Sequence, residues 1–341
     1  MGATHGLARA ARTLLPREFM SPPEVGFSQA ILEVNRSVLD AEFSHGPQRM
    51  NERYDFAALA DRLDDTSEWL KSQGIAAPDR LWRYRTNIRR MMAAESRGQM
   101  EHLQQTMPED EAREILWSYV EGDELVRALD ALRPYEDAGM REQLAAAMKG
   151  PADLFLESAN SNRGRNYAFE LIVAGRFASA GHAPRFGGQP DVGINFGTLR
   201  IGIQCKRPLS EKGIDKNIRD ALHQIDAGTD DHGIVAVSLS RIINPGDPAM
   251  MPEVEHSELG FEYLKTRLHG IANYTEKLWK DRTTPAAIGL YLYAFTPIRI
   301  LTGHPRFHFY RYDVMVPICQ QPTGRDRLKL LTQTMNSVQP Q

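Results

Sequence analysis

The stretch from Asp191 to Lys206 constrains this chain more than any other. Two β-like runs, Asp191–Phe196 and Leu199–Lys206, flank the pair Gly197-Thr198. Glycine at the first central position is what a type II′ hairpin turn requires. Placing the turn there sets Phe196 opposite Leu199, Ile194 opposite Ile201, Val192 opposite Ile203 and Asp191 opposite Gln204. Every large apolar residue then meets an apolar one, and a one-residue slip would send the whole set to the wrong face. Side chains alternate along a strand, so Gln204 and Lys206 project together while Cys205 points to the core side. Asp191, Gln204 and Lys206 thus share a face, and Gly193 and Gly202 are expected to leave open space beside them.

The rest of the chain supplies layers for such a hairpin. Gly233–Leu239 is nearly all apolar, as in a strand buried on both faces. Ala286–Phe295 and Phe307–Val316 read as further strands. Helices are expected at Asn166–Ser179, Lys212–Ala227 and Gly260–Lys280. Alternating helices and strands predict an α/β sheet domain over residues 151–320. Before the Gly150-Pro151 break the pattern is helical from Asp55 to about Lys149, preceded by a loop at Ser21-Pro22-Pro23. This gives a mainly helical N-terminal region, 1–150, for recognition or partner binding, and a C-terminal tail, 321–341.

At 341 residues the chain can bury a sizeable core. No run approaches 18 apolar residues, so no membrane span is expected. Nothing near Met1 has the form of a signal peptide. Two cysteines, Cys205 and Cys319, make a disulfide framework unexpected and suit the cytoplasm. The net charge is -3, yet Ser161–Asp220 holds ten Lys and Arg against five acids. Such a segment is either a footprint for a polyanion or a solvated surface.

Glu170 adds a second carboxylate. It sits on the helical stripe Tyr167, Ala174, Phe177, where an acid is costly unless paired or bound to a metal. Carboxylate oxygens suit Mg²⁺, which activates water and neutralises charge on a phosphate. An ammonium beside it can orient the attacking water and stabilise the transition state.

Glu170, Pro190-Asp191 and Gln204-Cys205-Lys206 together resemble the PD-(D/E)XK nuclease signature, in its variant with Gln opening the last triplet. The run Ile203-Gln204-Cys205-Lys206-Arg207 is most similar to the Mrr-type restriction endonuclease branch. The resemblance spans about Gly164 to Ala227. It implies a restriction-endonuclease-like core, a mixed central sheet flanked by helices. It also implies Mg²⁺-dependent DNA hydrolysis, with Mn²⁺ as a substitute, in restriction or defence against foreign DNA. Asp191 and Gln204 would be metal ligands, with the Cys205 carbonyl as a third. Glu170 would assist metal or water, and Lys206 would act on the nucleophile. The Gln in place of an acid removes one negative charge from the site. It therefore keeps open a catalytically weak or inactive module that binds nucleic acid or a protein partner.

In the helix Lys212–Ala227 an apolar row, Ile214, Ile218, Leu222 and Ile225, is separate from a basic row, Lys212, Lys216, Arg219 and His223. With Arg207 the basic row either follows a phosphate backbone or is a solvated face. The Arg80–Arg90 segment interleaves aromatics with arginines, and packing its aromatics inward is favoured over a nucleic-acid surface. His304 and His308 have the spacing of a zinc half-site but no accompanying ligands. No nucleotide-triphosphate loop or nucleophile elbow is seen. Double-strand cleavage would call for two sites, which a homodimer would supply.

Overall fold

The computed structural model describes residues 55–75, 79–99, 102, 106–135, 138–149, 162–244, 252–279, 286–302, 306–319 and 321–336. The Ser21–Pro23 loop, the Gly150-Pro151 break and His304 lie outside the described residues. The chain is α/β: a mixed seven-stranded sheet flanked by helices, with further helices toward the N-terminus.

Among the described residues four helices come first: α1 (Phe56–Ser72), α2 (Asp79–Ser96), α3 (Glu109–Leu132) and α4 (Ala138–Ala147). Asp55 caps α1 by accepting from the Ala58 N–H at 2.7 Å. Leu59, Leu63 and Leu70 of α1 and Leu81, Tyr84 and Ile88 of α2 are buried at helical spacings.

Helix α5 (Arg163–Ser179) leads into β1 (Pro184–Arg185), β2 (Val192–Phe196) and β3 (Leu199–Lys206). Helix α6 (Lys212–Asp226) and β4 (His232–Ser238) follow, then α7 (Ser240–Ile243), β5 (Glu253–Val254) and α8 (Ser257–Trp279). The chain closes with β6 (Ala287–Ile300), β7 (Arg306–Pro317) and α9 (Pro322–Asn336). The expected hairpin register is present: Val192 pairs Ile203, Ile194 pairs Ile201 and Phe196 pairs Leu199. Gly197 has φ 61 and, among the described residues, no non-glycine residue has a positive φ, as a type II′ turn at Gly197-Thr198 demands. Strands β3, β4 and β6 run parallel, and β2 and β7 are antiparallel to their neighbours.

Alternation splits the apolar side chains between two cores. Ile203, Ala236, Tyr291 and Phe295 face α5 and share one continuous core with Leu63, Leu81, Val120 and Leu129 of the first three helices. Val235, Val237, Leu290 and Val314 face α6 and α8. Helices α3 and α5 cross closely: a Cβ on Gly175 would lie 2.7 Å from the Ala128 Cα, so only glycine fits. Residues 322–336, expected as a tail, form α9, whose Leu328, Leu331 and Met335 join the α5-side core.

Buried charges tie the same layers. Arg176 of α5 donates to Asp313 of β7 at 2.7 Å, and the Tyr291 hydroxyl donates to the same carboxylate at 2.5 Å. Arg311 of β7 donates to Asp123 of α3 at 3.1 Å, and Tyr293 donates to Glu124.

Candidate active site

The site forms where β2 parts from β3. Their pairing ends at Val192 and Ile203, which leaves the Cys205 N–H without a strand partner on that side. The Asp191 carboxylate takes that place, accepting from Cys205 N–H at 2.8 Å. A bond to a strand amide lies in the plane of the sheet, so Asp191 sits at the edge between the two faces. Within one strand residue the N–H and C=O point the same way, so the Cys205 carbonyl looks toward the same gap.

Glu170 reaches this edge from α5. It is 8% exposed, and its hydrogen bond comes from an amide: Gln143 Nε2 of α4 donates to Glu170 at 3.0 Å and to the Asp191 carbonyl at 3.1 Å. Burial pushes the Glu170 carboxyl up from 4.5 to about 8; the nearby Asp191 charge adds to this and Lys206 opposes it. Burial also raises Asp191, against the Cys205 N–H and Lys206. Among the described residues no cation forms an ion pair with Glu170.

Gln204 and Lys206 come from the opposite, α6 side, as the alternation requires. Lys206 Nζ donates to Gln224 Oε1 of α6 at 2.6 Å. Gln204 is 2% exposed and its Oε1 has no hydrogen-bond partner. The space expected beside Gly193 and Gly202 is filled. A Cβ on Gly193 would lie 2.7 Å from Arg185 Nη2, and one on Gly202 would lie 2.8 Å from Asp230 Oδ2. Arg185 and Asp230 form an ion pair at 3.0 Å, and β1, which carries Arg185 across from Gly193, was not legible in the sequence.

Two side chains suit a hard cation: a buried Glu170 carboxylate bonded by an amide and not by a cation, and Gln204, whose Oε1 has no hydrogen-bond partner. Among the described residues no group of three or more His, Cys, Asp and Glu is arranged to hold a metal ion. Any cation would therefore rest on two carboxylates and neutral oxygens. Sequence reasoning missed Gln143 and Gln224. Both are polar residues on half-apolar helix faces, a weak signal for a position that turns inward.

Lys212, Lys216 and Arg219 lie on the exposed face of α6, and Arg219 pairs with Asp215 at 2.8 Å. Arg207 turns instead toward a cleft beneath α3 and α5. In α2, Tyr84 is buried and Trp82 is 58% exposed, while Arg83 pairs with Glu114, Arg85 and Arg89 with Asp64, and Arg90 with Glu111. Those arginines are engaged within the fold. Among the described residues no helix is long and apolar enough to cross a membrane. No protein family, curated protein or solved structure matches the chain.

A carboxyl whose folded value is raised costs stability once ionised. For Glu170 that cost is absent below about 4.5, grows as pH rises, and is complete above about 8. In metal-free buffer the melting temperature is expected to fall from pH 5 to 8 more steeply in wild type than in Glu170→Gln. Parallel melting curves across that range would show that Glu170 is not the titrating group.

Proposed function

We propose that the protein is a metal-dependent nuclease that hydrolyses phosphodiester bonds of DNA by the PD-(D/E)XK chemistry. The observation that carries this reading is Asp191. It is anchored on the Cys205 N–H at the parting of two strands, with Glu170 on one side and Lys206 on the other. Asp191, Glu170, Gln204 and the Cys205 carbonyl would hold Mg²⁺ or Mn²⁺ through oxygen. When bound, the ion would lower the pKa of its water and neutralise phosphate charge. Lys206, steadied by Gln224, orients the water and offers positive charge to the phosphate oxygens. Gln143 fixes Glu170 against the Asp191 backbone. A role in restriction or defence, in the cytoplasm and as a homodimer, goes with this reading.

Plasmid cleavage with Mg²⁺ or Mn²⁺, against an EDTA control, tests it; the same assay with RNA separates the two polymers. One observation favours a second reading, a nuclease fold kept for binding. The Arg185–Asp230 pair closes over the two glycines that would otherwise open the site. Metal-independent DNA binding without cleavage would select it.

The exposed row on α6 is proposed to follow the DNA backbone, without Arg207, which lines the cleft beneath α3 and α5. Replacing Lys212, Lys216 and Arg219 with Ala is expected to weaken binding to all sequences alike. The slope of log affinity against log salt should fall by roughly 2–3, since each phosphate contact contributes about 0.9. Fluorescence anisotropy in Ca²⁺ reads this, and an unchanged slope would make the row a solvated face.

A further inference from the structure

A second cleft opens off the carboxyl ends of β3 and β4, one residue beyond Lys206. Its free interior is small, about 40 Å³, room for a group of a few atoms and not for a whole nucleotide. Open α/β sheets bind ligands beyond the ends of their parallel strands. Its charged lining is Arg80, Arg165, Arg207, Arg241, Glu121 and Glu124. Four guanidinium groups therefore face two carboxyl groups.

Among the described residues both acids are engaged. Glu121 is taken by Arg165, which donates to it twice, at 2.7 and 3.1 Å, and by the Tyr84 hydroxyl. Burial alone would raise its carboxyl, but Arg165 and Arg80 outweigh it and hold it down to about 2, so it is ionised and spent on that pair. Glu124 accepts from Tyr293, and burial pushes it up to about 7, which weakens it as a counter-charge.

Arg80 shares the Glu121 charge without a hydrogen bond to it. It is 3% exposed. Its Nε donates to the Tyr84 hydroxyl at 2.8 Å, while its buried Nη1 has no hydrogen-bond partner among the described residues. Its charge is met only through space, by a Glu121 that Arg165 already holds in two hydrogen bonds, and a ligand that brings a further negative charge relieves that burial. The planar fork of donors matches phosphate oxygens in pairs. The hydroxyls of Ser238 and Ser240 line the same space and add neutral donors.

We propose that this cleft is a binding site for a phosphate group, with Arg80 as its buried anchor and Arg241 at its entrance. The group is either free inorganic phosphate or the terminal phosphate of a nucleic-acid strand. The site stands on its own geometry and does not depend on nuclease activity.

Isothermal titration calorimetry of the full chain in chloride buffer with EDTA tests it. The probes are inorganic phosphate, a 5′-phosphorylated trinucleotide and the same trinucleotide without phosphate. Saturable binding of phosphate is expected, weakened at least tenfold in Arg80→Gln and in Arg241→Ala. Phosphate should raise the melting temperature of wild type, and Arg80→Gln should abolish that rise while melting no lower than wild type without ligand. If Arg80→Gln fails to fold, Arg241→Ala decides. Tighter binding of the phosphorylated trinucleotide than of inorganic phosphate identifies a strand end; equal binding of the two identifies free phosphate. No saturable binding by wild type, or binding unchanged in both variants, overturns the proposal.

Discussion

Replacing Lys206 with alanine is expected to abolish metal-dependent DNA cleavage while leaving the fold intact. Lys206 is half-buried at the end of β3, and its stem is not part of either apolar core. On the proposed nuclease reading its ammonium would contribute positive charge where the phosphate gains negative charge, beside two carboxylates that would otherwise repel the substrate. Removing one such donor costs about 10²–10³ in turnover, and losing its hold on the attacking water adds to that. A loss of at least about 10³-fold in kcat is therefore expected. Lys206→Arg should not rescue, because a planar fork cannot occupy the position of a compact ammonium beside Gln224. Gln224→Ala leaves the ammonium in place but free to move, so a smaller loss, about tenfold in kcat with little change in KM, is expected. Single-turnover cleavage with circular dichroism as the folding control makes the measurement. A Lys206→Ala enzyme within about threefold of wild type would end the assignment.

The second large effect is on stability. Asp313 is 3% exposed and receives both Arg176 and the Tyr291 hydroxyl. Asp313→Ala would strip a partly buried guanidinium of its carboxylate and leave a buried hydroxyl without that acceptor. Breaking a buried pair from one side costs about 3–5 kcal/mol. Asp313→Asn keeps an acceptor and should cost less. An apolar replacement of both partners, Arg176→Met with Asp313→Leu, should recover much of the loss, because no charge is then stranded. The exposed Arg219–Asp215 pair is the contrast, and Arg219→Ala should change stability by about 0–1 kcal/mol. Urea midpoints at constant slope give the comparison. Asp313→Ala denaturing at the wild-type midpoint would mean that this pair contributes nothing net.

The hairpin was legible because two local signals agreed, a glycine suited to the turn and an apolar alternation that tolerates one register. The parallel strands were legible as apolar runs. Contacts between residues far apart in the chain were not. Nothing near Gly193 says that Arg185 and Asp230 will meet over it, so the space read as open is filled. Gln143 and Gln224 were passed over because an amide on a helix face has no spacing rule of its own. Helix α9 could have been found: Leu328, Leu331 and Met335 follow helical spacing, and all three are buried. The shared strand face of Gln204 and Lys206 was legible, but the place of Asp191 at the sheet edge was not, because Asp191 leaves the strand pleat to accept from the Cys205 amide.

The core shared by the first three helices and the sheet has a consequence for how such a chain can change. Tyr119 of α3 stacks on Phe309 of β7 at 4.5 Å between ring centroids, and Arg311 beside it reaches Asp123. A fragment starting near residue 151 would be a sheet stripped of part of one cover, with those partners turned out to water. The leading helices are thus a wall of the building and not an extension added to it. A lineage could not exchange them for an unrelated unit in a single recombination. Change there would have to arise by reshaping them in place, one packed position at a time.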